Sequence, residues 1–135
     1  MINFNGNIQD VSNFAVENNR GFLFGDAIFE TIKVNGTKIL FLEEHYLRLM
    51  ASMRICRMEI PMNFTMEFME EQILKLIELQ KNNVSNRVRF TVYRNAEGFY
   101  NPTSNDVQFI ITCSELSSDK YLFSTSNYEI ELFKD

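Results

Sequence analysis

The stretch from Arg87 to Arg94 alternates between polar and apolar side chains, and it constrains the fold more than any other part of the sequence. Successive side chains of a β-strand point to opposite faces, so this pattern predicts a strand with one apolar face and one cationic, hydrogen-bonding face. Two interpretations of the polar face remain open: a solvated sheet face, or a site for a carboxylate or phosphate group. The odd-numbered residues are Arg87, Arg89, Thr91 and Tyr93, and the even-numbered ones begin with Val88, Phe90 and Val92.

Four further segments alternate or are rich in β-branched residues, which predicts more strands separated by turns. Residues 1–40 are predicted to consist of such strands and turns throughout. The dipeptide Asn35-Gly36 is typical of tight hairpins, and Gly98 and Pro102 lie in a longer connection. The predicted strands are Ile2–Gly6, Phe29–Val34, Lys38–Phe41 and Val107–Cys113.

Apolar residues at helical spacing predict two helices. From Leu42 they recur every three or four positions, which predicts a helix over residues 42–56. After Pro61, Thr65 is predicted to cap a second helix that ends near residues 81–83. Strands, two helices and further strands in this order predict an α+β fold, an antiparallel sheet with two helices packed on it. The two apolar stripes are Leu42, Tyr46, Leu49 and Met53, and Met69, Ile73, Leu76 and Ile77.

The composition limits the classes of function. A chain of 135 residues that is 45% hydrophobic can bury one core, and its length predicts one domain. The net charge of −5, without long basic runs, argues against binding to nucleic acid. One histidine, His45, and two cysteines, Cys56 and Cys113, without metal-ligand spacing predict no metal site. The sequence shows neither a secretory leader nor an apolar run of about 20 residues, so we expect a cytoplasmic protein that does not cross a membrane.

Three features are ambiguous when each is taken alone. The segment Arg20–Asp26 has two glycines but no following Gly-Lys-Ser/Thr, so it is not a nucleoside-triphosphate loop, and its glycines predict tight turns. Arg48 lies beside the apolar stripe of the first helix, which favours a side chain that covers apolar surface. His45, one turn earlier, is expected to be a packing or capping residue, because no nucleophile partner is visible.

Three ordered blocks of the sequence resemble the class IV pyridoxal-phosphate enzymes. The blocks are Arg20–Thr31, Leu42–Leu49 followed by Ala51-Ser52, and Val88–Pro102. This family includes branched-chain aminotransferases, D-amino-acid aminotransferases and aminodeoxychorismate lyases. The resemblance covers about residues 1–116. It implies a small N-terminal α+β domain, a larger C-terminal domain, pyridoxal 5'-phosphate bound between them, and usually a homodimer that acts on amino acids and 2-oxo acids.

The resemblance also implies roles for five residues. Arg48 stands where the family has an arginine that reaches the cofactor phosphate, and this replaces the role inferred from its position alone. Phe29 stands at an aromatic position of the substrate pocket, and Phe24 and Tyr93 are further pocket candidates. Arg89 matches a position that some branched-chain enzymes use to bind the side-chain carboxylate of glutamate, and the alternation independently places it on the polar face.

Departures from the family pattern narrow the substrate class. The loop Asn95–Pro102 has neither the arginine of the lyases nor the arginine and histidine of the D-amino-acid enzymes. Elimination therefore favours transamination of a branched-chain-type amino acid with 2-oxoglutarate. The alternatives are an aminodeoxychorismate lyase-like enzyme, or a non-catalytic binding module that retains only this domain.

The resemblance further implies a catalytic lysine that forms a Schiff base with the cofactor and follows the first strand of the second domain. Neither Lys120 nor Lys134 stands in that motif, so no catalytic residue is predicted and the chain is expected to be inactive alone. We predict an N-terminal domain over residues 1–116, an interdomain linker over 117–127, and the first strand of a missing cofactor-binding domain over 128–135. The chain is thus expected to be a truncated product or a single isolated domain.

Overall fold

Six antiparallel strands form one sheet, and two long helices cover one of its faces. The structure is a computed structural model, and it describes residues 1–10, 16–80, 85–121, 123 and 125–132. The α+β prediction is confirmed. The strands occur in the order β2-β1-β6-β5-β3-β4. Their bounds are β1 Ile2–Phe4, β2 Asn7–Gln9, β3 Ala27–Asn35, β4 Lys38–Ile39, β5 Ser85–Arg94 and β6 Val107–Glu115.

Two short helical elements were not predicted from the sequence. Residues 1–40 were predicted to contain only strands and turns, but a 3₁₀ turn covers Val16–Asn18, and a single helical turn, α1, covers Arg20–Phe24. The Asn19 side chain caps α1 by accepting a hydrogen bond from the backbone N–H of Phe22. One turn of helix is too short to show helical periodicity, which is why the sequence pattern did not reveal it.

The two glycines of the Arg20–Asp26 segment meet different structural requirements. Gly25 ends α1 in the left-handed conformation with φ 66°, as a predicted turn glycine should. Gly21 was also predicted to lie in a turn, but it lies inside α1. A Cβ atom there would come within 3.1 Å of the Ala27 Cβ and 3.2 Å of the Tyr93 Cβ. Gly21 therefore allows α1 to pack directly against the sheet.

The two long helices agree with their predicted patterns. The helix α2 spans Leu42–Ile55, and α3 spans Met66–Ile77. Thr65 caps α3, since its hydroxyl accepts a hydrogen bond of 3.1 Å from the N–H of Phe68. The helix ends at Ile77, before its predicted end near residues 81–83, which lies outside the described residues.

The core lies between the two long helices and the even-numbered face of β5. Val88, Phe90 and Val92 are all at most 1% exposed, which confirms the predicted apolar face. Phe90 stacks on Phe109 with ring centroids 5.2 Å apart, and Phe64 meets both rings edge-on. Each such buried ring contributes about 1.5 to 3 kcal/mol relative to an exposed one, so this aromatic cluster fixes the two long helices on one side of the sheet. The other side, the open face, is covered by α1 at Tyr93 and is exposed at Phe29, Arg87 and Arg89.

After β6 the described residues contain no helix or strand. The N–H of Leu116 still donates to the carbonyl of Ser85, but residues 128–132 pair with no strand, and residues 133–135 lie outside the described part. The predicted first strand of a second domain would need partner strands from that domain, so the domain division stays a prediction. None of the helices in the described part of the chain has the length and apolar run that a bilayer span requires.

Candidate functional site

Arg89 and Phe29 lie together on the open face of the sheet. They are brought together by the pairing of β3 with β5, in which Thr31 is opposite Arg89 and Phe29 is opposite Thr91. The guanidinium carbon of Arg89 lies 3.6 Å from the centroid of the Phe29 ring, and both side chains are exposed. A guanidinium group on an aromatic face is attracted by the ring quadrupole while its N–H groups point outward in the plane. Arg89 Nε donates to Thr91 Oγ1 at 3.4 Å, and the two terminal nitrogens remain available for a ligand. These two residues, predicted separately as substrate contacts, thus form one surface.

A cavity of about 410 Å³ adjoins this pair on the open face. Its lining has two arginines, hydroxyl groups and one thiol, and it has no carboxylate. Among the described residues, neither Arg87 nor Arg89 has an acidic partner within 4.0 Å. At Arg87 and Arg89, the polar face of β5 is therefore both exposed and cationic. The cavity is lined by Thr31, Arg87, Arg89, Thr112, Cys113 and Ser114.

Arg48 belongs to a second cluster, which it forms with Glu30 and His45. Its Nε donates to Glu30 Oε1 at 2.8 Å, and its Nη2 donates to Glu30 Oε2. Glu30 is 6% exposed in its side chain, whereas Arg48 is 59% exposed. Glu30 follows Phe29 in β3, so it points to the opposite side of the strand. The Nε and Nη2 groups of Arg48 are thus held by a buried carboxylate, while the rest of its guanidinium group faces solvent.

His45 completes this cluster by binding the same carboxylate. Its Nδ1 lies 2.7 Å from Glu30 Oε2 and 2.9 Å from Arg48 Nη2. One ring nitrogen cannot both donate to the carboxylate and accept from the guanidinium, and the shorter contact to a carboxylate assigns the proton to Nδ1. His45 is therefore a packed residue with a defined partner, in line with the prediction that it packs or caps.

The pKa of Glu30 reflects two opposing effects. Burial raises the pKa, but the hydrogen bonds and positive charges of Arg48 and His45 outweigh it, and the pKa of Glu30 lies below its ordinary value. Glu30 in turn raises the pKa of Arg48. The pair is ionised at neutral pH, and Arg48 is fixed by it.

Phe24 lies away from the Arg89 cavity. Its ring is 49% exposed and stacks under the guanidinium carbon of Arg20 at 4.9 Å. It lines a separate cavity of about 360 Å³ with Gly98 and Phe99 of the loop between β5 and β6. The structure therefore groups Phe24 with that loop rather than with Phe29.

Tyr93 lies beneath α1 and lines neither of these cavities. It is 5% exposed, and its hydroxyl donates to the amide oxygen of Gln108 at 2.6 Å. Burial raises the pKa of Tyr93 to about 12. Its predicted role in a substrate pocket stays a prediction, and its described contacts are those of a packed, neutral phenol.

The sequence from residue 27 to residue 130 matches the family model of the class IV aminotransferases. The chain belongs to this family. Comparison with curated proteins by sequence gave no match. The match includes β3 with Phe29 and Glu30, α2 with Arg48, and β5 with Arg89, so both side-chain clusters lie inside the part that defines this class IV domain.

Solved structures of branched-chain amino acid aminotransferases have the same fold as this class IV domain. The T.th. enzyme is 27% identical with a TM-score of 0.71, and the alignment covers 86% of this chain and 40% of that one. The enzyme of Escherichia coli is 19% identical with a TM-score of 0.70, covering 87% and 40%. The enzyme of Thermoproteus uzoniensis is 14% identical with a TM-score of 0.72, covering 86% and 40%. The class IV domain thus spans about two fifths of the length of these structures.

The Arg48 cluster of the class IV domain fits one edge of a phosphate group. Nε and Nη2 of Arg48 are used by Glu30, but no contact of Nη1 is seen within the described ranges, and most of the side chain is exposed. Guanidinium N–H groups in this geometry bind phosphate oxygens well. One arginine supplies only part of a phosphate site, so the remaining ligands of a cofactor phosphate would have to come from elsewhere.

A third cluster, formed by Arg20, Asp26 and Arg94, was not found by sequence analysis. Asp26 Oδ2 accepts from Arg20 Nε at 2.9 Å and from Arg94 Nε at 2.8 Å. Arg94 also donates to the Cys56 carbonyl at the end of α2, and Arg20 donates to the carbonyls of Gly98 and Phe99. Despite the opposing effect of burial, the two arginines hold the pKa of Asp26 below its ordinary value. The cluster joins α1, the end of α2 and the β5–β6 loop.

One signal in the sequence could have revealed this third cluster. Arg94 stands at an even-numbered position, on the face of β5 that otherwise carries Val88, Phe90 and Val92. An arginine on a buried strand face requires a carboxylate partner and further acceptors. Asp26 is one of two acidic residues in the first family block, and sequence alone did not indicate its pairing with Arg94.

Proposed function

We propose that this chain is the N-terminal part of a pyridoxal-phosphate aminotransferase that exchanges amino groups between a branched-chain-type amino acid and 2-oxoglutarate. The observation that carries the proposal is the Arg89–Phe29 pair, a guanidinium group stacked at 3.6 Å on an exposed ring. An aminotransferase of this kind must accept an apolar and an acidic side chain in one pocket. The pair offers an apolar ring face and a cationic edge side by side.

The two residues have separate tasks in this proposal. Phe29 contacts the apolar side chain of the amino acid. This contact is favourable because it removes apolar surface of the side chain and of the ring from water. Arg89 binds the side-chain carboxylate of 2-oxoglutarate or glutamate, because its in-plane N–H groups match the two carboxylate oxygens. The stacking on Phe29 keeps the guanidinium oriented between the two half-reactions.

The Arg48 cluster would hold the cofactor in this proposal. When bound, pyridoxal 5'-phosphate supplies the electron sink that transamination requires. Arg48 binds one edge of its phosphate group, and the buried carboxylate of Glu30 holds Arg48 in place from behind. His45 holds the same carboxylate from a second direction, so Glu30 cannot turn away from Arg48 without losing three hydrogen bonds.

Ligands named for the structural relatives support this choice of substrates. One structure of the T.th. enzyme contains 4-methylvaleric acid, and another contains N-(5'-phosphopyridoxyl)-L-glutamate. The Thermoproteus uzoniensis enzyme was solved with norvaline. The T.th. enzyme thus binds both an apolar and an acidic ligand. By analogy, the same pair of substrate classes is proposed for the protein to which this domain belongs.

Three broader features belong to the same proposal. The whole protein is a homodimer, supported by exposed apolar residues on α1 and the β5–β6 loop, among them Phe22 and Phe99. It works in the cytoplasm, in keeping with two free cysteines. The lysine that binds the cofactor covalently is not among residues 1–135, so this chain alone is inactive. An aminodeoxychorismate lyase-like enzyme and a binding module without chemistry are the alternatives.

The test of the substrate assignment is the replacement Arg89→Leu in the complete enzyme. We expect the Michaelis constants for glutamate and 2-oxoglutarate to rise about tenfold or more, as expected from the loss of about 1.5 to 3 kcal/mol for a hydrogen bond to a charged group. The Michaelis constant for leucine should change little, because leucine has no side-chain charge. Arg54→Leu, a change at an exposed position near the end of α2, is the control. Equal losses for both substrates would make Arg89 a structural residue.

A further inference from the structure

Arg87 stands next to Arg89 on the open face and has no role in the function proposed above. The two residues are separated by one position in β5, so their Cα atoms are about 7 Å apart and their side chains leave the same face. Across the sheet, Arg87 is opposite Lys33 and Ser114, and Arg89 is opposite Thr31 and Thr112. Cations and hydroxyl groups therefore fill two adjacent rows of the sheet.

The positive charges in these rows are held in place without being neutralised. Arg89 is stacked on Phe29, and the Lys33 ammonium lies 4.4 Å from the centroid of the Tyr121 ring. Aromatic faces attract cations but carry no net charge, so the field of the cations persists. In the described part of the chain, Lys33, Arg87 and Arg89 have no acidic partner within 4.0 Å.

Two cavities meet at Arg87. One is the cavity of about 410 Å³ beside Arg89, and the other, of about 450 Å³, lies between the sheet and residues 116–121. Both linings include Thr31 and Arg87, and neither includes an aspartate or glutamate. The second lining adds Lys33 and Lys120, so the space around Arg87 is cationic on both sides.

We propose that Arg87 is a second carboxylate-binding residue, which clamps the side-chain carboxylate of a dicarboxylic substrate together with Arg89. A carboxylate between the two guanidinium groups accepts from both, and the hydroxyls of Thr31 and Thr112 lie in the same lining. This inference rests on the proposed function and deepens it. The acidic partner of the reaction is a dicarboxylate held by two arginines, whereas the neutral partner has only Phe29 to contact.

The first test measures binding to the 135-residue chain without cofactor or turnover. Arginine Nε–H signals in nuclear magnetic resonance spectra are followed during titration with glutarate, with glutaramide as its neutral counterpart and inorganic phosphate as a different anion. We expect glutarate to shift the signals of both Arg87 and Arg89, and glutaramide to shift neither. Arg87→Gln should weaken glutarate binding at least tenfold, whereas Arg54→Gln, with the same charge change at an exposed position on α2, should leave it within twofold.

Several outcomes of the titration would overturn the inference. These are a response of Arg89 alone, an effect of Arg87→Gln no larger than that of Arg54→Gln, the absence of glutarate binding, or tighter binding of phosphate than of glutarate. The complete enzyme provides the separate test of the proposed function. If it transaminates leucine with 2-oxoglutarate while Arg87→Gln is silent in the titration, the inference fails and the function stands. If the titration behaves as expected and no transamination occurs, the function fails and the carboxylate clamp stands.

Discussion

Arg48 is held in one orientation before it makes the phosphate contact proposed for it. Its side chain is mostly exposed, and exposed arginines usually sample many rotamers. Here two hydrogen bonds to the buried carboxylate of Glu30 select one orientation, and His45 fixes the carboxylate. Because the orientation is already set in the free domain, little side-chain entropy remains to be lost when a phosphate group binds.

Replacement of Arg48 by alanine tests this role. In the complete enzyme, Arg48→Ala should weaken cofactor affinity by about 1.5 to 3 kcal/mol, the usual worth of a hydrogen bond to a charged group. Arg54→Ala, a change in the last turn of α2, should leave the affinity unchanged. The measurement is a cofactor titration of the cofactor-free enzyme, with thermal unfolding recorded in parallel because Glu30 loses a partner. If the affinity is the same in both variants, Arg48 does not contact the cofactor.

Tyr93 allows a prediction about stability at alkaline pH. Its pKa is about 12 in the folded chain, above the ordinary value of 10.0, because burial disfavours the phenolate. The stabilisation from this residue is therefore complete below pH 10 and is lost as the pH rises towards 12. A difference of this size corresponds to about 2 to 3 kcal/mol.

The test compares Tyr93→Phe with Tyr100→Phe, a change at a fully exposed residue. At neutral pH, Tyr93→Phe should lower the free energy of unfolding by about 1 kcal/mol through the lost hydrogen bond to Gln108. Between pH 10 and pH 12, the wild type and Tyr100→Phe should lose stability more steeply than Tyr93→Phe. Urea unfolding at several pH values measures this, and identical slopes for all three proteins would show that Tyr93 does not titrate in this range.

At the level of elements, periodicity explains which parts of the fold were predictable. The helix α2 and the strand β5 repeat their apolar residues over several turns or pleats, so their patterns predicted both the element and its buried face. The helix α1 has one turn and no repeat, and its existence depends on the Asn19 cap and on the packing of Gly21 against Tyr93. The packing of Gly21 against Tyr93 joins residues far apart in sequence, and local patterns do not encode it.

The candidate site shows the same limit. The alternation in β5 correctly placed Arg89 on the open face, and the family resemblance singled out Phe29 and Arg48. The stacking of Arg89 on Phe29 depends on the register between β3 and β5, and the binding of Arg48 to Glu30 depends on how α2 lies against β3. Both contacts depend on the tertiary structure. The sequence therefore indicated which residues belong to the candidate site, but not which residues they contact.

The β5–β6 loop depends on one glycine, and this gives a prediction at the scale of an element. Gly98 has φ 99°, and a Cβ atom there would come within 2.3 Å of the Asn101 carbonyl oxygen. Gly36 in the β3–β4 turn has φ 58° and open space around it. Gly98→Ala and Gly36→Ala therefore share the strain of positive φ but differ in the clash.

We expect Gly36→Ala to lower the free energy of unfolding by about 1 kcal/mol and Gly98→Ala by about 1 to 3 kcal/mol more, as typical for forced backbone strain. The clash would also displace the Gly98 carbonyl, which accepts from Arg20. Chemical denaturation measures the two values, and amide chemical shifts of α1 report the displacement. Equal losses in the two variants would show that the loop relaxes without cost.

At the scale of the whole molecule, charge and burial are divided between the two faces of the sheet. The chain has a net charge of −5, yet the open face has cations without acidic partners among the residues that the structure describes. The helix-covered face holds the aromatic core, and Arg48 reaches out beside β3 from that side. In the proposed function, the domain would supply one wall of the substrate pocket and one contact to the cofactor phosphate, and the active site would need further residues.

The last prediction follows from this incompleteness: the 135-residue chain should fold but should neither bind pyridoxal 5'-phosphate tightly nor transaminate. A single exposed ion pair, as Arg48 would offer to a phosphate, is worth about 0 to 1 kcal/mol. Covalent attachment needs an activated lysine amine held against the cofactor aldehyde. Among the described lysines, Lys75 is paired with Glu71, and Lys33 lies on the Tyr121 ring.

The measurement combines a cofactor titration, borohydride reduction with mass spectrometry to locate any attachment, and a transamination assay with leucine and 2-oxoglutarate. We expect sparse attachment spread over several lysines, because aldehydes react slowly with any exposed amine, and no turnover. The complete enzyme, assayed in parallel, serves as the positive control. Stoichiometric attachment at one defined lysine together with turnover would show that residues 1–135 already contain an active site, and the assignment of this chain as a domain that depends on another part of the protein would then be wrong.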